Sequence, residues 1–285
     1  MNKEKNEDWD LVIKPKSAFL SINLAEIWAY KDLIMLMVKR DITAVYKQTV
    51  LGPLWMFIQP LFTTAIYTFT FSTSAKLSTD GIPPVLFYLM GQTFWTYFAD
   101  CLNKTSNTFI SNSAVFGKVY FPRLVMPFSV IISNLLKLGL QVLLLIAFYL
   151  YFYFSTGQVQ PQPGLILLVP FYVVILGLFG LSVGIFFSSL TTKYRDFTFL
   201  LGFAVQLLMF ASCVVFPVSM YSAKTQALLM YNPIVACMEA IKFSLTGHGY
   251  FSLYYLGIAV IITVVSLFLS ILVFNRTEKS FMDTV

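Results

Sequence analysis

The sequence predicts an all-α integral membrane protein, with six transmembrane helices preceded by an N-terminal amphipathic interface helix. Three observations carry that reading. First, 58% of the 285 residues are hydrophobic and only 11% are charged, against roughly a quarter charged in soluble domains; the mean hydropathy is +0.77. Second, apolar stretches recur at Leu51–Phe71, Val85–Cys101, Met126–Phe154, Leu165–Leu190, Phe197–Phe216 and Leu253–Phe274. Each is near or above the roughly 17–25 residues that a spanning helix needs. Third, the basic residues segregate. With the N-terminus in the cytosol, the inner segments hold Lys3, Lys5, Lys14, Lys16, Lys31, Lys39, Arg40, Lys47, Lys104, Lys118, Arg123, Lys193, Arg195, Arg276 and Lys279. The outer segments hold Lys76, Lys224 and Lys242. The positive-inside rule then places both termini in the cytosol, and the formal charge of +6 reflects topology rather than nucleic-acid binding. Continuous apolar runs without in/out alternation exclude a β-barrel.

In chain order, residues 1–23 read as a charged cytosolic tail, without the apolar core and small-residue cleavage site of a removable signal peptide. Residues 24–48 read as a helix lying in the headgroup layer, because Lys39, Arg40 and Lys47 are interleaved with Leu33, Leu36, Met37, Ile42 and Tyr46. At Gly52-Pro53 the chain turns directly into the first span. The spans are set at about 51–71, 85–103, 126–154, 165–190, 197–216 and 253–274, so that residues 24–285 form one membrane domain. A surface helix running without a linker into a span can relay force from a cytosolic partner.

Two loops carry more than connection. The cytosolic loop at 104–123 offers Asn112 and Ser113 as N-caps and stops any helix at Phe121-Pro122. A short transverse helix over about 113–120 presents Phe116, Val119 and Tyr120 beside Lys118; the loop's length and exposed aromatics favour a docking element over a plain connector. The outer loop at 217–249 is too apolar to stand free in water. Pro217 and Asn232-Pro233 divide it into two short helices that dip back into the outer leaflet, which requires protein to cover the irregular backbone. Glu239 and Lys242 are i,i+3 neighbours placed to pair, for a structural or a gating purpose.

The remaining polar residues exclude several chemistries. His248 is the single histidine, so no histidine-based metal site or triad can be built, and the phosphate-loop pattern G-x-x-x-x-G-K-[ST] is absent. Cys101, Cys213 and Cys237 lack disulfide or metal spacing and read as buried packing residues. Asp100 and Asp196 are too few for a proton relay. Lys137 shares a helical face with Asn134 and Gln141 and is expected to pair with Asp100, since an unpaired intramembrane charge is costly.

Three spans carry aromatic residues at helical spacing with one glutamine set among them. The first has Trp55, Gln59, Phe62, Ile66 and Phe69; the second Tyr88, Gln92 and Trp95; the fifth Phe199, Phe203, Gln206 and Phe210. Taken singly, each fits interfacial aromatics and glutamine bonding between helices. Together they fit the lining of a conduit. Sugar rings stack their C–H faces on aromatics, and their hydroxyls bond amides. At roughly 0.5–1.5 kcal/mol per stacking contact a polymer can still slide.

The run Arg40-Asp41, Tyr46-Lys47-Gln48-Thr49, Leu51-Gly52, Trp55 and Pro60 resembles the opening segment of the membrane subunits of polysaccharide-export ABC transporters, type-2 ABC exporters of O-antigen, capsule or teichoic acid. Lys118-Val119-Tyr120-Phe121-Pro122-Arg123 with Pro127 is similar to that family's coupling region, and Asn232-Pro233 followed by Glu239 to its outer re-entrant helices. The resemblance covers the chain from Leu24 onward. It implies a non-enzymatic permease subunit in the bacterial inner membrane, forming a homodimer with two copies of an ATP-binding subunit. ATP and Mg would be held by that subunit, leaving this chain without a cofactor. It further implies an inner gate at Lys39, Arg40, Tyr46 and Lys47, and ATPase docking through Ser113, Val115, Phe116, Lys118, Val119 and Tyr120. The lining of the channel would come from the three stripes, and an outer gate from Asn232, Glu239 and Lys242. Lys242 departs from the arginine expected there. The substrate is then a lipid-linked, O-antigen-type polysaccharide. The alternatives are a capsule or teichoic-acid exporter of the same family, a type-2 exporter of lipids or drugs, a membrane-embedded transferase, which would need acid or histidine pairs, and a proton-coupled carrier.

Overall fold

A computed structural model describes residues 24–47, 50–112, 121–192, 194 and 196–278, and among them every regular element is helical. The chain begins with α1 (Leu24–Ala29) and α2 (Lys31–Tyr46). Ile34, Met37 and Val38 recur at the i, i+3, i+4 spacing that forms one helical face, and that face is buried against Phe121, Val125 and Met126. Asp32, Lys39 and Arg40 lie away from that face and are exposed, together with Met35 and Leu36, so α2 is amphipathic with an exposed side that mixes charged and apolar residues.

Gly52 takes a left-handed φ of +50°, which glycine adopts without steric cost. A 3-10 turn (Gly52–Leu54) then leads into α3 (Trp55–Tyr67), which continues without a break as a π-helical segment over Thr68–Ser74. The centre of the molecule is α4 (Pro84–Ser106), buried along most of its length. A single turn, α5 (Thr108–Ser111), follows it. Next come α6 (Val125–Thr156), α7 (Pro163–Ile166), α8 (Val169–Thr191) and α9 (Asp196–Ala211). The outer segment folds as α10 (Ala223–Met230) and α11 (Pro233–Thr246), and α12 (Leu253–Glu278) ends the described chain.

Three stretches are long and apolar enough to cross a membrane: Val125–Thr156, Pro163–Thr191 and Leu253–Arg276. The pair α10–α11, bent by 103°, makes a fourth if taken as one broken span. The other expected spans fall short for identifiable reasons. The first is interrupted by Pro60, which removes a backbone donor, and by the π-segment. The second carries Asp100, Lys104 and many hydroxyls, because it is enclosed by protein rather than lipid. The third, α9, stops at Ala211 after 16 residues, and Cys213 close behind it adopts φ +54°. The 32-residue α6 is about 48 Å long against a hydrocarbon layer of about 30 Å. It is therefore longer than a perpendicular crossing requires, and its first turns pack against α2.

The core is the α4–α8 contact. Along α8, Gly177, Gly180 and Gly184 lie directly against Tyr97, Phe98 with Cys101, and Leu102 with Thr105 of α4. With no side chain at those positions the two backbones approach closely, the packing device of helices that lack a hydrophobic drive toward each other in lipid. The expectation that the outer loop folds back onto protein also holds. α11 is almost wholly buried, capped by the Asn232 side chain at one end and by Gly247 at φ +74° at the other.

Candidate functional site

At the expected inner gate, Lys39, Arg40 and Lys47 are exposed. Arg40 is nevertheless engaged. Its Nε and Nη2 both donate to Asp41 Oδ1, at 3.0 and 2.8 Å, and its Nη1 donates to Asn112 Oδ1 at 2.8 Å. Tyr46 closes α2, and its side chain lies outside the described residues, as do all the expected docking residues Ser113, Val115, Phe116, Lys118, Val119 and Tyr120. Asn112 ends α5, its backbone N–H and its Nδ2 both donating to the Thr108 carbonyl; the helix expected to start there lies outside the described residues.

The three aromatic stripes separate into two kinds. On α3 and the π-segment that continues it, Trp55, Gln59, Phe62 (67% exposed), Ile66 and Phe69 form an uncovered face. On α9, Phe199 (80% exposed), Phe203, Gln206 and Phe210 do the same. On α4, however, Tyr88 and Trp95 are 1% and 5% exposed, and Gln92 is half-buried with its amide donating to Thr96 at 3.1 Å. The expectation that Tyr88 and Trp95 line a passage is therefore corrected: they are core residues. Helical spacing gives a common face but does not say whether lipid, solvent or protein covers it. Tyr88 is covered by Tyr67 and Phe71 of the first helical run, with ring centroids 6.0 and 6.3 Å away. The two exposed stripes sit on helices that meet at one end. Tyr67 donates to Met209 Sδ at 3.7 Å, and Phe216 touches both Phe71 and Phe210, at 5.8 and 6.5 Å.

The outer group is a closed network. Glu239 Oε1 and Lys242 Nζ are 2.9 Å apart, and both side chains are 2% exposed. Lys242 also donates to the Cys213 carbonyl at 3.1 Å and lies 4.3 Å from the centre of the Phe87 ring. The Tyr250 N–H donates to Glu239 Oε2 at 3.2 Å. Asn232 Oδ1 accepts from the Ile234 N–H at 3.0 Å, while its Nδ2 reaches Ser212 Oγ at 3.5 Å. These bonds tie the end of α9 to α11 and to the loop before α12.

Lys137 pairs with Asp100 at 2.7 Å, as expected from the sequence, and Lys104 stands 4.0 Å from the same carboxylate while donating to Asn134 at 2.7 Å. The pair is a quarter exposed, so its worth lies between that of a surface pair and a buried one. Lys137→Met is expected to cost about 1–2 kcal/mol, with Lys104 partly replacing the lost charge, and thermal unfolding in detergent measures it. Elsewhere, an apolar groove of about 600 Å³ runs between α6 and α8, lined by Leu138, Val142, Tyr149, Pro170 and Val173. It brings together none of the expected site residues. Among the described residues no cluster of histidine, cysteine or carboxylates could hold a metal ion.

Sequence reasoning missed two features. The glycines of α8 were legible as Gly177-x-x-Gly180-x-x-x-Gly184, a small-residue spacing familiar from membrane helix pairs. The Arg40–Asn112 bond joins residues far apart in the chain, and no local pattern announces it.

The helices and their burial define a multi-pass helical membrane protein. Residues 32–246 match the ABC-2 type transporter family, and the chain belongs to it. Two proteins of Klebsiella pneumoniae, both described as O-antigen export system permease protein RfbA, are 25% and 26% identical to it over 252 and 257 residues. Each alignment covers 88% of this chain and 94% of the relative. A Myxococcus xanthus protein of the same description is 24% identical over 263 residues, covering 91% and 98%.

Proposed function

We propose that this chain is the permease subunit of an ATP-driven exporter that moves a lipid-linked, O-antigen-type polysaccharide across the bacterial inner membrane. In this reading it crosses the membrane six times, with α3 joined to its π-segment, α4 and α9 as the crossings that protein partly encloses. Both termini are cytosolic. Two copies assemble with two ATP-binding subunits, which hold ATP and Mg and dock at residues 113–120. This chain conducts and does not hydrolyse.

The observation that carries the reading is the pair of uncovered aromatic–glutamine stripes on α3 and α9, in a chain that aligns along nearly its whole length with permeases described as exporting O-antigen. Lipid suffices to cover the exposed aliphatic faces of α6 and α12, but the glutamine set in each aromatic stripe calls for a polar occupant. Rings with an amide among them suit sugars: they offer stacking and hydrogen bonds but no charge to trap the chain. Two such faces brought together across a dimer would form a lined passage. Co-expression with an ATP-binding subunit that supports assembly, in cells making the glycolipid, tests this by surface display of the glycan. Trp55→Ala and Phe203→Ala are each expected to lower export roughly two- to tenfold, the value of one stacking contact, with normal complex assembly. Tyr88→Ala should instead reduce the amount of folded protein, since emptying a core aromatic site costs about 3–5 kcal/mol. Wild-type export by both surface variants would remove the conduit reading.

A further inference from the structure

The interface helix α2 is fastened at two points to the elements that flank residues 113–120. Before that stretch, Asn112 Oδ1 accepts from Arg40 Nη1 at 2.8 Å. Both partners are held in place. Asp41 Oδ1 takes two donors of the guanidinium, which fixes the fork, and Asn112 donates its amide to the Thr108 carbonyl at 2.8 Å. After that stretch, Phe121 is buried in one cluster with Ile34, Met37 and Val38 of α2, followed by Val125 and Met126 at the start of α6. α5 itself is anchored in the helical body. The Phe109 ring lies 5.1 Å from that of Phe274 on α12, and Thr198 of α9 donates to Asn107 at 3.4 Å.

We propose that Arg40 is a positioning residue that locks α2 to α5, so that α2 travels with the docking region as one body, rather than a contact for the charged lipid anchor. The inference rests on the reading that residues 113–120 dock the ATPase. Geometry supports the assignment. Asp41 and Asn112 take three of the five guanidinium N–H groups, including the side-on Nε–Nη2 fork, so an incoming phosphate could use that fork only by displacing Asp41. The apolar contact spreads from Ile27 to Val38 against Phe121, Val125 and Met126, and non-directional packing of that kind leaves α2 able to roll about its axis. The polar bond at Arg40, across the docking stretch from it, removes that rotation. A stroke delivered between the two fastenings then reaches α2 directly, and through Gly52 the base of α3, without passing through the long spans.

The complex with its ATPase, reconstituted in vesicles with glycolipid, supplies the test. Arg40→Ala and Asn112→Ala are each expected to lower glycan exported per ATP hydrolysed about fivefold, the worth of one charge-assisted hydrogen bond at a partly exposed site. The double variant should be no worse than either alone. Asn112→Asp keeps the acceptor for Arg40 but loses the amide bond to the Thr108 carbonyl, so it should couple better than Asn112→Ala and less well than the wild type. Spin labels at Lys39→Cys and Ser111→Cys give a readout independent of cargo. Both positions are exposed, whereas the native Cys101, Cys213 and Cys237 are buried. The α2–α5 distance should stay narrow and unchanged between nucleotide-free and ATP-trapped states, and broaden in Asn112→Ala. Normal coupling in Asn112→Ala beside impaired Arg40→Ala would overturn the lock and return Arg40 to the substrate. So would a wild-type distance that shifts with nucleotide. If the wild-type complex exports no glycan while the distance stays fixed, the polysaccharide reading fails and the lock stands.

Discussion

Replacing either partner of the Glu239–Lys242 pair is expected to destabilise the protein by about 3–5 kcal/mol, because it leaves the other ion buried without a counter-charge. The two side chains are 2.9 Å apart, with the lysine also bonded to the Cys213 carbonyl and the carboxylate to the Tyr250 N–H. Glu239→Gln retains the shape and can still accept from Tyr250, but it strands the ammonium. Lys242→Met strands the carboxylate and also frees the Cys213 carbonyl. Substituting both should cost less than the sum of the singles, since no charge remains. It should not be neutral, because the Cys213 carbonyl loses its partner, at about 1–3 kcal/mol. The three buried cysteines supply the measurement. A thiol-reactive fluorophore added during a thermal ramp reports the temperature at which the core opens. Unfolding of either single variant at the wild-type temperature would show that the pair is not closed off from solvent as described. The consequence for function follows from position: the pair fastens α9, which carries one exposed stripe, to α11, and loosening it should lower export as well.

Gly184→Val should separate α4 from α8 and nearly abolish assembly. A β-carbon at Gly184 would lie 2.6 Å from Thr105 Cβ and 2.9 Å from the Leu102 carbonyl oxygen, distances that no rotamer change relieves because one neighbour is backbone. Even Gly184→Ala is expected to cost about 1–3 kcal/mol by overpacking. Gly180→Ala should cost less, since its β-carbon would stand 3.0 Å from Cys101 Cβ and from the Phe98 carbonyl. At Gly139, where nothing lies within 4 Å, alanine should instead stabilise by up to about 1 kcal/mol through helix propensity. The ordering Gly139, Gly180, Gly184 in the same thermal assay tests the close packing. Equal behaviour of the three alanine variants would refute it.

Much of this architecture is legible in the linear chain. Long apolar runs announce α6, α8 and α12, because a helix in hydrocarbon must satisfy its own backbone and cover itself with apolar groups. The amphipathic α2, the folded-back outer helices and the Asp100–Lys137 pair are likewise readable, each from local spacing or from the cost of an unpaired charge. Where reading failed, the missing quantity was the neighbour. The stripe of Tyr88, Gln92 and Trp95 has the same helical periodicity and aromatic–glutamine character as that of Phe199, Phe203, Gln206 and Phe210, yet the rings of one are core and those of the other uncovered. Arg40 reads as a free charge on an amphipathic helix, and only the arrival of Asn112 from a distant turn engages it.

The chain by itself therefore determined that this is a helical membrane protein, which segments are apolar enough to enter the bilayer, and which family its motifs resemble. These properties follow from transfer free energies and helical periodicity, which act over a few neighbouring residues. Tertiary structure alone decided which aromatic faces stay uncovered, that α8 meets α4 through three glycines, and that Glu239, Lys242 and Arg40 are tied to distant backbone or side chains. Coverage, close approach and long-range hydrogen bonding depend on what the rest of the fold places alongside, and residue spacing carries no record of that.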